Sequence, residues 1–208
     1  MDIIRKQTVK RSDPEKHPGG TPLAKSPRMD LGTEVIPKER YTSEEFMELE
    51  WEKIWTKTWL LGCREDQIPE PGDFICTNIG RESVLIVRQK NYEIKAFHNV
   101  CMHRGNRLAD EGLWHAESFV CGYHGWEYDS DGTFVDIPDL NTFQQGKPPC
   151  GGLAELPCDT WVSFVWFSLN TEVEPLEEYV SDLAGHFEPY HFERMAMTRW
   201  VTAEWNCN

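Results

Sequence analysis

The 208-residue chain is 39% hydrophobic and holds nine tryptophans, too apolar for global disorder and long enough for one well-buried domain and part of a second. Its formal charge is -14, unevenly spread: residues 1–40 carry nine Lys/Arg against six Asp/Glu, and the remainder 12 against 29. So acidic a body repels phosphate backbones, which argues against nucleic acid as a partner and suits a basic protein surface.

Residues 1–40 are polar and include "HPGGTPLAKSPR", which predicts a loosely ordered arm. The opening "MDIIRKQTVK" lacks the long apolar segment of a secretory signal. No apolar run approaches the ~20 residues of a membrane helix; the longest, "WVSFVWFSL" at 161–169, is of strand length. The odd number of cysteines, seven, suggests no small disulfide framework, and a cytoplasmic, reducing compartment is expected.

A helix is expected next. Thr42 and Glu45 form a capping box, and Phe46, Leu49, Trp51, Ile54 and Trp55 give an approximately helical apolar stripe for core packing. From Asp73 the period changes. "DFICTNI", "SVLIVR" and "YEIKAFH" are short β-rich runs separated by turn residues. "FVCGYH" opens another strand, and "WEYDSDGTFVDI" predicts a hairpin with Asp131-Gly132 at its turn. This spacing implies a compact antiparallel β domain over about residues 60–170. "EPLEEYVSDLAGHF" then predicts a helix with Pro175 near its first position, and "TRWVTAEWNCN" a final strand.

The chemistry concentrates in two stretches, "CMHRG" at 101–105 and "CGYHGWEYDSDG" at 121–132. Cys101, His103, Cys121 and His124 follow the order C-x-H, seventeen residues, C-x2-H. Two thiolates and two imidazoles suit a tetrahedral Zn2+, or a [2Fe-2S] cluster with cysteines on one iron and histidines on the other. A zinc finger groups its cysteines before its histidines; here the two kinds alternate. Two loops, each tipping a β-hairpin, can clamp a flat diiron cluster, each giving one ligand to each iron.

With Arg104-Gly105 after the first histidine and Gly125-Trp126 after the second, the pair resembles the Rieske centre of the ring-hydroxylating oxygenases, specifically their large (α) subunit. The flanking "AFHNVCMHRGNRLADEG" and "LPCDTWVSFVWFSL" extend the resemblance over about residues 41–208. It implies a mainly β protein: a Rieske-type antiparallel domain at 41–170 with its leading helix, after the arm at 1–40. The start of an α+β catalytic domain would occupy 171–208. Cys101, His103, Cys121 and His124 would hold the [2Fe-2S] cluster. Electrons from NAD(P)H would arrive through a reductase and sometimes a ferredoxin. They would pass to a mononuclear Fe(II) that activates O2 and hydroxylates an aromatic or related apolar substrate. That iron's ligands would lie beyond Asn208, so this chain is expected to carry no catalytic residues itself. A homotrimer, with or without β subunits, follows from the same resemblance.

Respiratory Rieske proteins add a second cysteine to each loop and a serine two residues after the second histidine. Asn106 and Tyr123 lie near the cysteine places, and Trp126 holds the serine's. Fewer donors to the cluster sulfurs predict a midpoint of roughly -150 mV and not +300 mV. Arg104 is a candidate for a charge-assisted bond near the cluster or across a subunit contact, and Tyr128 for a hydroxyl bond to a cysteine sulfur.

Other histidines invite a different reading. Asp182, His186 and His191, with Glu188 and Glu193 nearby, imitate a two-histidine, one-carboxylate iron site. They precede the "EWNCN" segment that the family's iron motif follows, so a polar helix end is expected instead. His98 and His115 fall outside the ligand pattern, His17 belongs to the arm, and Cys63, Cys76, Cys150, Cys158 and Cys207 follow no metal spacing. The alternative function is a self-contained Rieske ferredoxin, a carrier of ~100 residues to which the arm, helix and C-terminal extension would be surplus. A structural zinc module is the weakest option.

Overall fold

The computed structural model describes residues 34–208, apart from 139, 143, 145, 147–150, 200, 202 and 206–208. The chain divides into Met1–Ile36 and Pro37–Asn208, and every element described here belongs to the second unit. The predicted arm falls almost entirely outside the described residues.

Eleven strands are assigned among the described residues. β1 (Trp59–Arg64), β11 (Phe164–Ser168) and β10 (Cys158–Trp161) form one sheet in that order. The central sheet runs β5 (Gly112–His115), β2 (Asp73–Ile79), β3 (Glu82–Arg88), β4 (Ile94–His98), β9 (Glu155–Leu156). The third is β6 (Ser118–Val120), β7 (Glu127–Asp129), β8 (Phe134–Asp136). All pairings are antiparallel. The mainly β expectation is met, and the hairpin turns at Asp131-Gly132 as its sequence required.

The central strand β3 explains how the sheets stack. "SVLIVR" shows no polar alternation because both of its faces are covered. Leu85 and Val87 join Phe74, Phe97, Phe119, Tyr128 and Phe134 in a core shared with the third sheet. Val84 and Ile86 point the other way, into a core with Leu60, Val165 and Phe167 of the first sheet. Cys101, Cys121 and Trp126 belong to the former core, so the metal-type residues are anchored on the third-sheet side.

The leading helix departs from expectation. A short helix, Glu39–Thr42, ends in extended backbone at Ser43, whose hydroxyl then caps Glu44–Glu50 by accepting from Phe46 N–H at 3.3 Å. Thr42 closes the first helix and bonds back to the Lys38 carbonyl, so Ser43 and not Thr42 is the cap. The helix widens into a π-turn over Trp51–Trp55. None of its residues is fully buried, and Leu49, Ile54 and Trp55 are exposed, so the stripe is not core. Trp51 supplies the docking instead: its ring lies against Gly80 in the β2–β3 turn and carries the Arg81 guanidinium at 5.3 Å, while Arg81 pairs with Glu48 at 2.6 Å. Gly80 has φ +54, and a Cβ there would overlap the indole. Gly80→Ala should therefore destabilise the chain by about 1–3 kcal/mol, read as a lower midpoint of thermal unfolding.

The C-terminal region is more broken than predicted. Leu176–Tyr179 is helical, Ser181–Leu183 tightens to 3-10 geometry, and Ala184–Phe187 resumes. The break falls at Val180, which is buried with Leu176 and Trp59. No strand appears among the described residues of 198–205, where no neighbouring strand pairs with the segment. Among the described residues no helix is long and apolar enough to cross a membrane.

Candidate metal centre

The two loops share one backbone plan. Cys101 N–H donates to the Asn106 carbonyl at 2.8 Å, and Cys121 N–H to the Trp126 carbonyl at 2.8 Å. Gly105 N–H returns to the Cys101 carbonyl and Gly125 N–H to the Cys121 carbonyl, both at 2.9 Å. Each loop is thus a six-residue turn with cysteine first and glycine fifth. Gly105 and Gly125 take φ +74 and +69, the left-handed conformation that side chains resist. The histidines differ by one place, third in the first loop and fourth in the second. The hairpin expectation holds for one loop only: Cys121–Trp126 joins paired β6 and β7, whereas Cys101–Asn106 joins β4 to β5, which lie on opposite sides of β2 and β3.

The sequence-predicted side chains converge in pairs. Cys101 and Cys121 are buried, and their thiols lie within hydrogen-bonding reach of each other. The His103 and His124 rings meet edge to face with centroids 4.6 Å apart, His103 exposed and His124 half-buried. Thiols inside and imidazoles outside match a diiron core whose two irons each take one like pair. Among the described residues no group of three or more His, Cys, Asp or Glu could hold one metal ion, and two ligands per iron need no such group.

The sulfurs are set apart by their donors. Burial pushes the Cys101 thiol up, opposed by the Tyr128 hydroxyl at 3.4 Å and the His103 N–H. Burial also raises Cys121, but the N–H groups of Tyr123 and His124, the Cys101 thiol and the Asn106 amide at 3.8 Å together leave it below the usual thiol value. Both sites therefore present donors to negative sulfur. Partial burial, His103 and Arg104 hold the His124 imidazole below its ordinary value. Tyr128 hydroxyl also accepts the Met102 N–H at 3.0 Å, fixing the first loop from beneath. The Arg104 guanidinium lies over the Tyr123 ring at 5.8 Å.

One positioning residue escaped sequence reasoning. Asn99 is buried, and its amide nitrogen donates to the Ala109 carbonyl at 2.8 Å, the Ser83 hydroxyl at 3.1 Å and the Cys76 sulfur at 3.2 Å. Its oxygen accepts from Leu108 N–H at 2.9 Å and Ala109 N–H at 3.1 Å. It ties both flanks of the first loop to β2 and β3. An asparagine two places before a candidate ligand, within the apolar run of "AFHNVC", was the available signal.

Among the described residues the remaining candidates do not assemble. Asp182 and His191 are exposed, and His191 pairs with Glu193 at 3.2 Å. His98 sits 3.3 Å from Glu82, and His115 2.8 Å from Asp73 across the β2–β5 ladder. Burial pushes the Cys63 and Cys158 thiols up to about 12, which keeps them protonated and poor ligands. Cys150 and Cys207 lie outside the described residues, as does His17.

The family model for the Rieske [2Fe-2S] domain matches residues 58–157, spanning both loops. Residues 58–157 are a Rieske [2Fe-2S] domain. The chain is 34% identical over 152 residues to the large oxygenase component of a 2,4-dinitrotoluene dioxygenase system from Burkholderia sp. (strain RASC), covering 72% of this chain and 34% of that protein. It is 36% identical over 155 residues to the biphenyl 2,3-dioxygenase subunit alpha of Rhodococcus jostii (strain RHA1), covering 74% and 34%. Among solved structures, a naphthalene 1,2-dioxygenase mutant bound to phenanthrene aligns with TM-score 0.66 at 33% identity, over 71% of this chain and 34% of that one. A quaternary ammonium Rieske monooxygenase aligns with TM-score 0.68 at 26% identity, over 74% and 45%. The chain thus matches the Rieske portion of oxygenase α subunits and spans about a third of the length of the curated relatives it matches. The Rieske family carries a [2Fe-2S] cluster, and the buried thiol pair beside the surface imidazole pair fits that group.

Proposed function

We propose that Cys101, His103, Cys121 and His124 hold the cluster and that the chain is the electron-transferring portion of a ring-hydroxylating oxygenase α subunit. In that reading it takes electrons from a reductase or ferredoxin and delivers them to a mononuclear Fe(II) site for O2-dependent hydroxylation of an aromatic or related apolar substrate. The pairing of thiols within and imidazoles at the surface carries this proposal. When bound, the cluster supplies a one-electron couple. The protein's part is to balance charge and exclude water around it. Backbone N–H groups of His103, Tyr123 and His124 and the Tyr128 hydroxyl face the sulfurs, favouring added negative charge. The exposed imidazole edge leaves a short path to a partner protein, while the cysteines sit in a hydrophobic core with Trp126 and Tyr128.

Redox titration of the cluster-loaded chain tests this. A midpoint in the lower part of the Rieske range, roughly -150 mV, is expected. A clearly positive midpoint, or a cluster that neither a reductase nor a ferredoxin reduces, contradicts it. Within the same experiment Tyr128→Phe removes one donor worth about 1 kcal/mol, which for one electron lowers the midpoint by about 40 mV.

A further inference from the structure

The two candidate imidazoles are not supported alike. Trp126 lies parallel to His103, with ring centroids 4.8 Å apart and planes 5° from coincidence. The indole is 7% exposed, and its other contacts include Phe134 at 5.0 Å. Its own carbonyl accepts the Cys121 N–H that closes the second loop. A residue of the second loop thereby covers the ring face of the first loop's histidine. His124 has no such platform: Tyr123 tilts over it at 39° and is itself 59% exposed.

We infer that Trp126 is a positioning residue for the cluster: it sets the ring plane of His103 and shields that face from water, making the two histidines inequivalent. The inference rests on His103 being a cluster ligand. A ligand imidazole rotates about its metal–nitrogen bond unless something fixes it, and its orientation governs how it shares electron density with the iron. A large buried ring stacked flat against it leaves one favoured plane. Because Trp126 sits at the sixth position of the second loop, this clamp also couples the two loops. Any movement between them alters the ring overlap.

The test uses the full chain loaded with its cluster and compares wild type, Trp126→Phe and Trp126→Leu with Phe74→Leu, which thins the same core away from the loops. Pulsed EPR of the reduced protein resolves the ligand nitrogens. The expected result is that Trp126→Leu shifts one of the two histidine nitrogen couplings and leaves the other in place. Its midpoint moves positive as water reaches His103, and iron is lost to a chelator about tenfold faster. Trp126→Phe, with a smaller ring, shifts the same coupling less, and it decides the matter if the leucine variant holds no cluster. Phe74→Leu lowers thermal stability and moves neither coupling nor midpoint. The inference is overturned if the Trp126 variants keep both couplings and the midpoint of wild type, or if Phe74→Leu shifts them equally. A wild-type signal with no histidine nitrogens defeats the ligand assignment itself, a separate outcome.

Discussion

Cys121→Ser and His124→Ala are each expected to yield a folded chain that has lost its cluster. Each iron would have only two protein ligands, so one substitution removes half of the protein's hold on that iron. Loss of a ligand exceeds the 10–100-fold affinity cost typical of disturbing a ligand's neighbours, so iron content should fall below about a tenth of wild type. The loop itself should persist, because its closing bonds are made by backbone: Cys121 N–H to Trp126 and Gly125 N–H to Cys121. Cys158→Ser, at a half-buried residue whose thiol is raised to about 12, should keep its iron and sulfide. Iron and sulfide assays with visible absorption, read beside circular dichroism, check both statements. A Cys121→Ser chain retaining its cluster, or a Cys158→Ser chain losing it, would contradict the ligand assignment.

Asn99→Ala is expected to be the most damaging substitution outside the ligands. It removes a buried amide with five side-chain hydrogen bonds and leaves the Leu108 and Ala109 N–H groups without their acceptor. Each stranded group costs about 1–3 kcal/mol, so a loss of about 2–6 kcal/mol follows. For a chain of this size that lowers the unfolding midpoint by on the order of 10 °C. Asn99→Asp keeps the acceptor but loses the donors, and it buries a charge, so it should not rescue. Because this residue ties both flanks of the first loop, cluster retention should fall with stability. A thermal melt and an iron assay on the same preparations read the two effects together.

The residues that carried most information in the sequence are those with local chemistry. Cysteine and histidine spacing picked out the four convergent side chains, and the β-rich runs and Asp131-Gly132 located β2, β3, β4 and the β7–β8 hairpin. Tyr128 was legible as a sulfur partner because an aromatic hydroxyl in a short strand beside the loop has few other uses. What stayed hidden depends on distant parts meeting. β1 pairs with β11 across about a hundred residues of chain, for example Leu60 with Phe167, and no local pattern announces such a partner. The same holds for Trp126, whose role comes from His103 on another loop. Two adjacent hydroxyl residues, Thr42 and Ser43, both look like caps, and only the extended backbone at Ser43 separates them. The helical stripe at 46–55 misled because its apolar face docks through one indole on Gly80 and not through a continuous core.

In the proposed function two cysteines and two histidines of this chain hold one diiron cluster. The most direct measurement is pulsed EPR of the chemically reduced, cluster-loaded chain, with iron, sulfide and zinc quantified on the same sample. Equal amounts of iron and sulfide are expected, with two histidine nitrogen couplings and loss of one coupling in His103→Cys or His124→Cys variants that retain a cluster. Zinc in place of iron, or an iron–sulfur signal without nitrogen couplings, would contradict this reading.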